Sequence, residues 1–196
     1  MIHTKNGKNI LFVHIPKTGG RTLLDFFDLV GFENNDHYSK DFGGRIKHPH
    51  YTQYKRCVDF NSIDYAFAVF RDPIKRIMSQ YQWVRRHEPN VIPINDWVIN
   101  TLNQYKYNSS IQDNHIRPQV EFLYEGINVY DFNIMSKIPK MVLDSVSIKS
   151  DIAVPHRFKS SYRKEDVLSE KSKELLLNFY SKDYEWIEKN TLIGEV

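Results

Sequence analysis

The sequence predicts an α/β protein in which helices flank a central parallel β-sheet. Two short apolar runs, at 9–15 and 65–70, are each followed by a tight polar turn and then by apolar residues at helical spacing. Continuous apolar runs are typical of strands that are buried on both faces, as parallel strands usually are. At 196 residues the chain is long enough for one such domain and short for two, so we expect a single domain over 1–196.

The first of these units begins with the strand NILFVHI, at 9–15. The preceding segment MIHTKNGKN is polar, and we expect it to run straight into that strand. Gly19 and Gly20 then mark a turn, and TLLDFFDLVGF has the apolar spacing of an amphipathic helix. Gly31 is the expected end of this helix, because glycine readily adopts the left-handed conformation found after helix termini.

The second unit has the strand YAFAVF, at 65–70, followed by a helix over IKRIMSQYQWV. Asp72 is a candidate N-cap and Pro73 is expected in the first turn, where proline is tolerated. Because two strands feed two helices in this way, ligands are expected at the carboxyl ends of the strands.

The remaining segments are less regular. Asp96 is a candidate cap for a short helix that ends at Leu102, and the polar stretch around 105–119 is predicted to be a long loop that faces a substrate. A short strand is expected in INVYDF and a helix in MSKIPKMVLDSV. The segment 165–189 has the pattern of one or two amphipathic helices that close the core.

Composition excludes several classes of protein. No apolar run approaches the roughly 18 residues that cross a membrane, and the N-terminus lacks the pattern of a secretory signal. The single cysteine, Cys57, cannot form an internal disulfide, so a reducing, cytoplasmic location is expected. The net charge of +3 is spread along the chain, which argues against nucleic acid and is compatible with a small anionic ligand.

The turn after the first strand, in IPKTGGRT, is predicted to bind a phosphate. Gly19 and Gly20 let an anion approach the backbone N–H groups and the positive end of the helix dipole, and Lys17 adds a cation. Thr18 and Thr22 add hydroxyl donors. In a nucleotide P-loop the lysine follows the last glycine, whereas here Lys17 precedes both. The turn therefore suits a 5′-phosphate without the arrangement for a magnesium-bound triphosphate.

A second anion site is expected at the end of the other strand, in FRDPIKRIMSQY. Arg71 follows the strand directly, and Ser79 lies about two helical turns beyond Pro73. Two anion sites at neighbouring strand ends indicate one ligand with two separated phosphates. A nucleotide that carries both a 5′- and a 3′-phosphate has this form.

These two motifs, in this order and about fifty residues apart, resemble those of sulfotransferases that use 3′-phosphoadenosine 5′-phosphosulfate (PAPS). The resemblance is to the carbohydrate family that includes heparan sulfate 2-O-sulfotransferase and small bacterial relatives, and it extends to KHPHYTQY, RPQVEFL and SKDYEWI. It implies a P-loop-like three-layer fold, PAPS as donor and a hydroxyl-bearing acceptor, in this family usually a glycan or glycoconjugate.

The resemblance also implies site residues. The residues that would hold the 5′-phosphosulfate are Lys17, Thr18, Gly19, Gly20, Arg21 and Thr22. Arg71 and Ser79 would hold the 3′-phosphate. Further contacts are implied for HRFKSSYR, at Arg157, Lys159 and Arg163. The chain departs from the family at Arg21, where Thr or Ser is common, and at Asp72, where Asn is common.

Sulfuryl transfer needs a base for the acceptor hydroxyl and a cation near the leaving oxygen, and the resemblance implies His48 and Lys17 for these roles. His50 is the alternative base. The reaction needs no metal, although His48 and His50, with Asp36 and His37 upstream, are an alternative ligand set.

For the other histidines and the tryptophans the sequence favours ordinary structural roles. His14 is expected to be a hydrogen-bonded core residue, and no role is assigned to His115 or His156. The expected core anchors are Trp83, Trp97 and Trp186.

Two other functions remain open on the sequence. A small-molecule or nucleotide kinase would also bind phosphate at a strand–turn–helix unit. Such a kinase should, however, carry its lysine after the glycines and a carboxylate that holds magnesium. A nucleotide-binding module without activity would also contain this phosphate-binding unit, although Lys17 and a nearby histidine argue against the absence of activity.

Overall fold

A computed structural model describes residues 1–35, 47–88, 90–155 and 164–194, and a five-stranded sheet lies at its centre. The strands are β1 (Ile2–Lys5), β2 (Lys8–Val13), β3 (Glu33–Asn35), β4 (Tyr65–Phe70) and β5 (Asn128–Asp131). Their order across the sheet is β3-β1-β2-β4-β5. The pairs β2–β4 and β4–β5 are parallel, whereas β1 is antiparallel to both β2 and β3.

The sheet is therefore mixed, and the prediction of a parallel sheet is wrong at this edge. The N-terminal segment forms a hairpin, in which β1 pairs with β2 around Asn6 and Gly7. Both turn residues have positive φ, 50° and 72°, as the tight turns that join twisted antiparallel strands require. The dipeptide Asn-Gly is a strong hairpin signal, so this turn is encoded in the sequence of the segment that was predicted to run straight into the strand.

The helices are α1 (Gly20–Val30), α2 (Tyr51–Tyr54), α3 (Pro73–His87), α4 (Ile94–Tyr107), α5 (Ile138–Ser145), α6 (Glu170–Phe179) and α7 (Ser181–Lys189). Short 3₁₀ turns cover Phe60–Ser62, Gln119–Phe122 and Phe132–Ile134. In the described part of the chain, no helix is long and apolar enough to cross a bilayer.

Helix boundaries follow the capping signals in most cases. Asp72 is the N-cap of α3 and accepts a hydrogen bond from the Lys75 N–H at 2.7 Å, and Gly31 ends α1 at a φ of 82°. The helix α4 is longer than the predicted helix at 96–102. It begins at Ile94, after Pro93, and continues to Tyr107. The last three residues of α4 thus occupy the start of the predicted 105–119 loop.

Helices and short turns cover both faces of the sheet, which gives three layers. Along β2, Ile10 and Phe12 pack against α1 and α5, while Leu11 and Val13 face the opposite side with Phe122. Burying each such side chain contributes about 1.5–3 kcal/mol. The burial of alternate side chains on both faces fixes the position of β2, and with it the position of the turn that follows β2.

A third apolar cluster joins α3, α4 and α6 beside the sheet. Arg76 of α3 is fully buried there, with its guanidinium 5.3 Å from the ring of Tyr180. It donates hydrogen bonds to the carbonyl oxygens of His115 at 2.9 Å and Arg117 at 2.7 Å. The segment after α4 is thereby held against α3.

Candidate active site

A cavity of about 930 Å³ opens where β2 and β4 end. Because these strands are parallel neighbours, the turns that follow them meet at one edge of the sheet. The cavity-lining residues that the sequence predicted are Lys17, Gly19, Gly20, Arg21, Thr22, His48, Arg71 and Ser79. The two predicted anion sites therefore belong to one cavity.

The turn between β2 and α1 is tightly constrained. Lys17 and Gly19 have left-handed backbones, with φ of 66° and 81°. A Cβ atom on Gly20 would lie 1.9 Å from Nε2 of His14, so only glycine fits there. Gly19 caps α1, whose first turn carries no acidic residue. Because Gly19 and Gly20 line the cavity, the positive end of this helix faces it.

Two residues of this turn differ from expectation. Thr18 is fully buried and does not line the cavity, because its hydroxyl donates to the Ile15 carbonyl at 2.8 Å. Its hydroxyl therefore shapes the turn, contrary to the prediction that it is a ligand donor. Arg21 lines the cavity, but its side chain is 71% exposed and its Nε lies 3.0 Å from Asp25 Oδ1.

Lys17 and Arg71 adjoin each other. Nη1 of Arg71 donates to the Lys17 carbonyl at 3.0 Å, and its guanidinium lies 4.4 Å from the ring of Phe132. Burial, followed by the positive charges of Arg71 and Arg86, lowers the pKa of Lys17 to about 8. No described residue that lines the cavity is an Asp or Glu. The cavity therefore has an excess of positive charge.

Gln119 holds the backbone of Arg71 from both sides. Its Oε1 accepts from the Arg71 N–H at 3.1 Å, and its Nε2 donates to the Arg71 carbonyl at 2.7 Å. The carboxylate of Asp183 in turn accepts from the N–H groups of Gln119 and Val120, both at 3.0 Å. The motifs RPQVEFL and SKDYEWI thus meet here and position Arg71, a role that their sequences alone did not reveal.

Three histidines form a second wall of the cavity, next to the turn that holds Gly20. The ring of His48 lies 4.5 Å from that of His14 and 4.7 Å from that of His115, measured between centroids. Burial lowers the pKa of His14, and together with the nearby His48 and Lys17 it lowers the pKa of His115 to about 2. His14 and His115 are therefore neutral at physiological pH.

Two of these histidines correct the sequence interpretation. His14 follows β2 and lines the cavity, and its buried Nδ1 has no hydrogen-bond partner among the described residues. It is thus not the hydrogen-bonded core residue that was expected. His115, which had no assigned role, also lines the cavity. No spacing in the sequence could reveal this cluster, since its members come from three distant segments.

His48 and His50 have different surroundings. Nδ1 of His48 lies 2.8 Å from Oδ2 of Asp113, and the His48 ring faces the cavity. His50 does not line the cavity; it precedes α2, and its Nδ1 lies 3.0 Å from the Thr52 hydroxyl. Burial and the charge of Arg117 lower the pKa of His50 to about 4. The structure therefore brings His48, and not His50, to the predicted anion sites.

The ligand atoms of His48, Asp113 and His115 all lie within 4.8 Å of one another, a set that could hold a metal ion. Two of the three already contact each other, because Nδ1 of His48 lies 2.8 Å from Oδ2 of Asp113. The alternative ligand set that the sequence offers includes Asp36 and His37, which lie outside the described residues.

The tryptophans divide into two kinds. Trp97 is buried in the cluster of α3, α4 and α6, and Trp186 stacks on Phe70 with centroids 5.4 Å apart, so both are core anchors as predicted. Trp83 is 43% exposed and lines the cavity, with its ring 5.7 Å from Nζ of Lys17. The prediction that Trp83 is a core anchor is therefore wrong.

The remaining predicted contacts, Arg157, Lys159 and Arg163, lie outside the described residues, as does His156. Val154 and Pro155, which directly precede them, line the cavity.

The chain was compared with family models, curated proteins and solved structures. A model of the sulfotransferase family matches residues 1–188. No curated protein and no solved structure matches the chain. The matched range includes the β2 turn, His48, Arg71 and the Asp183 contact, and the chain therefore belongs to the sulfotransferase family.

Proposed function

We propose that the protein transfers the sulfuryl group of PAPS to a hydroxyl group of a carbohydrate. The observation that carries the proposal is the convergence of the Lys17 turn, Arg71 and His48 on one cavity that lacks carboxylates among its described lining residues. Membership of the sulfotransferase family supports sulfuryl transfer in general. PAPS as the donor and a carbohydrate as the acceptor are what the resemblance of the sequence motifs implies.

The donor carries two phosphate groups, and the cavity offers two matching sets of groups. Lys17 and the backbone at Gly19 and Gly20 would hold the 5′-phosphosulfate, where a compact ammonium stabilises charge that develops on the leaving oxygen. Arg71 and Ser79 would hold the 3′-phosphate. Nη1 of Arg71 donates to the Lys17 carbonyl, and Arg71 lines the cavity, where the planar fork of a guanidinium suits the oxygens of a phosphate.

His48 would act as the general base. It would accept the proton of the acceptor hydroxyl, whose oxygen bonds to sulfur as the bond between sulfur and the 5′-phosphate oxygen breaks. His48 is 13% exposed and faces the cavity, so an acceptor can reach it without opening the protein. A neutral imidazole is a suitable base near physiological pH.

Trp83 supports a carbohydrate acceptor. Its indole is half-exposed on the cavity wall, and it lies close to both Lys17 and His115. An exposed aromatic ring offers a flat apolar surface with a polar edge, which suits the C–H face of a sugar ring.

A kinase is not favoured. Magnesium-dependent phosphoryl transfer requires a carboxylate near the phosphates, and none is present among the described residues that line the cavity. A non-catalytic module would need no histidine beside the anion site, whereas His48 lies there in a hydrogen bond to Asp113.

Nucleotide binding tests the proposal first. Adenosine 3′,5′-bisphosphate should raise the melting temperature in the absence of magnesium, and ADP, which lacks the 3′-phosphate, should raise it much less. Equal shifts with the two nucleotides would contradict the assignment of Arg71.

Transfer of label from PAPS to a panel of oligosaccharides, with simple alcohols and phenols as controls, then tests the reaction and its acceptor. Transfer to the alcohols or phenols but not to the oligosaccharides would contradict the carbohydrate assignment. Nucleotide binding without transfer to any member of the panel would instead favour the non-catalytic module.

A further inference from the structure

We infer that Asp113 is a positioning residue for His48, which fixes the proton of the imidazole on Nδ1 and leaves Nε2 unprotonated to act as the base. The inference rests on the proposed function of His48. It also assigns a role to the segment after α4, in which the sequence indicated only a loop that faces a substrate.

The backbone that carries Asp113 is unusual. Gln112, Asp113 and Asn114 all have left-handed backbones, with φ of 51°, 55° and 63°. This conformation is unfavourable for residues with a Cβ atom, and three such residues in succession are rare. Strain of this kind persists only where the surroundings fix the conformation, and it is concentrated at functional sites.

Asp113 contacts the His48 segment through both carboxylate oxygens. Oδ1 accepts from the Lys47 N–H at 2.9 Å, and Oδ2 lies 2.8 Å from Nδ1 of His48. The first contact fixes the backbone before the histidine, and the second fixes the ring. Neither Lys47 nor His48 lies in a helix or strand, so these contacts supply the order that secondary structure would otherwise give.

The neighbours of Asp113 hold the turn in place. Asn114 is fully buried, and its Nδ2 donates to the His48 carbonyl at 2.8 Å. Gln112 accepts from Nε2 of Gln80 at 2.7 Å through its side-chain oxygen. All three residues of the left-handed run are thus bonded through their side chains, and two of them bond to His48 or its neighbour.

The hydrogen bonds determine which nitrogen of His48 carries the proton. An ionised carboxylate can only accept, so Nδ1 of His48 must donate to Asp113. In the neutral imidazole the lone pair then lies on Nε2. This is the nitrogen that a hydroxyl group in the cavity would need as its proton acceptor.

Asp113 also supplies the negative charge that a protonated His48 requires. The His48 ring is in contact with His14, His115 and Asp113. The two histidines are neutral, since burial lowers the pKa of each. When His48 takes a proton, Asp113 is therefore the charged group in direct contact that stabilises the imidazolium, as the aspartate of a catalytic triad does.

The substitution Asp113→Asn separates this role from a structural one. An asparagine has the same shape and can still accept from the Lys47 N–H, but it presents an amide donor to Nδ1 of His48. The proton should then move to Nε2, with the turn preserved. Gln112→Ala is the matched control, because it removes a bond from the same turn and leaves the contact between Asp113 and His48 intact.

The tautomer can be measured without any acceptor. Long-range ¹⁵N–¹H NMR spectra of protein labelled at histidine, with the His48 signals identified by their loss in His48→Ala, should show Nδ1 protonated in the wild type and in Gln112→Ala. Asp113→Asn should show Nε2 protonated. A wild-type His48 that carries its proton on Nε2 would overturn the inference even if Asp113→Asn does not fold.

Single-turnover transfer from labelled PAPS then tests the consequence. Asp113→Asn should lower the rate on the order of 10²-fold or more, with its affinity for adenosine 3′,5′-bisphosphate within about twofold of wild type. Gln112→Ala should transfer at close to the wild-type rate. A changed tautomer with an unchanged rate would overturn the positioning role. A wild type that binds the nucleotide but sulfates nothing would instead overturn the proposed function, while the NMR result still decides the tautomer.

Discussion

The two walls of the cavity are built in different ways. The anion wall, formed by the turns after β2 and β4 and by the helix starts that follow them, takes its groups from two short continuous segments, 17–22 and 71–79. The histidine wall, formed by His14, His48 and His115, takes its groups from three distant segments that meet only in the folded protein. A short sequence motif can therefore encode the first wall, whereas only the tertiary structure produces the second.

If the two walls have separate tasks, nucleotide binding and proton transfer should respond to different substitutions. The walls are in direct contact where Gly20 lies against the ring of His14. Substitutions away from this contact should affect one property, and substitutions at the contact should affect both.

The largest effect is expected on the histidine wall. His48→Ala should lower kcat by about 10²–10⁴-fold, the usual range for the loss of a general base, with little change in nucleotide affinity. His50→Ala is the control, since His50 lies outside the cavity and should remain close to wild type. Single-turnover transfer and calorimetric titration measure the two properties. An inactive His50→Ala beside an active His48→Ala would place the base two residues further along.

On the anion wall, Arg71→Ala should weaken the binding of adenosine 3′,5′-bisphosphate by about 10–150-fold, which corresponds to the 1.5–3 kcal/mol of a charged hydrogen bond. Ser79→Ala removes a neutral hydroxyl group and should cost about 2–10-fold. Neither variant should change the tautomer of His48 in NMR spectra. Titration calorimetry that gave the reverse order of the two losses would contradict the assigned contacts.

At the contact between the walls, Gly20→Ala should lower the free energy of unfolding by about 1–3 kcal/mol, because its Cβ would overlap Nε2 of His14. In a His14→Ala background the same change should cost far less, since the overlapping ring is gone. Denaturant unfolding of the four proteins in this cycle measures the coupling. Strictly additive losses would show that the walls are independent even here.

The smallest effect concerns pH. Since the pKa of Lys17 is lowered to about 8, the unliganded protein loses this positive charge as the pH rises through that value. Affinity for adenosine 3′,5′-bisphosphate should therefore fall by a few-fold between pH 7 and 9, and binding near pH 8 should take up protons. Lys17→Arg stays charged and should show a flatter profile. An equally steep profile in that variant would assign the pH dependence to another group.

The difference between locally encoded features and features that depend on the tertiary structure also explains what the sequence could predict. Both strand–turn–helix units, the Asp72 cap and the end of α1 at Gly31 are local features, and the structure has them. The hairpin at Asn6 and Gly7 is also a local feature, since the Asn-Gly dipeptide encodes its turn.

The sequence could not show that Asp113 and His115 lie beside His48, because their proximity depends on how α3 holds the segment after α4. It also could not show that the Thr18 hydroxyl turns inward, since threonine at that position is equally compatible with a ligand contact. The roles of Arg157, Lys159 and Arg163 stay predictions.

The link from Asp183 through Gln119 to Arg71 has a consequence for how the protein is made. Synthesis proceeds from the N-terminus, so Arg71 leaves the ribosome more than a hundred residues before the carboxylate that completes its support. Contacts this distant in sequence form late, because a long loop must close first. A nascent chain can therefore build β2 and β4 early, but it should not bind a nucleotide tightly until α7 has docked.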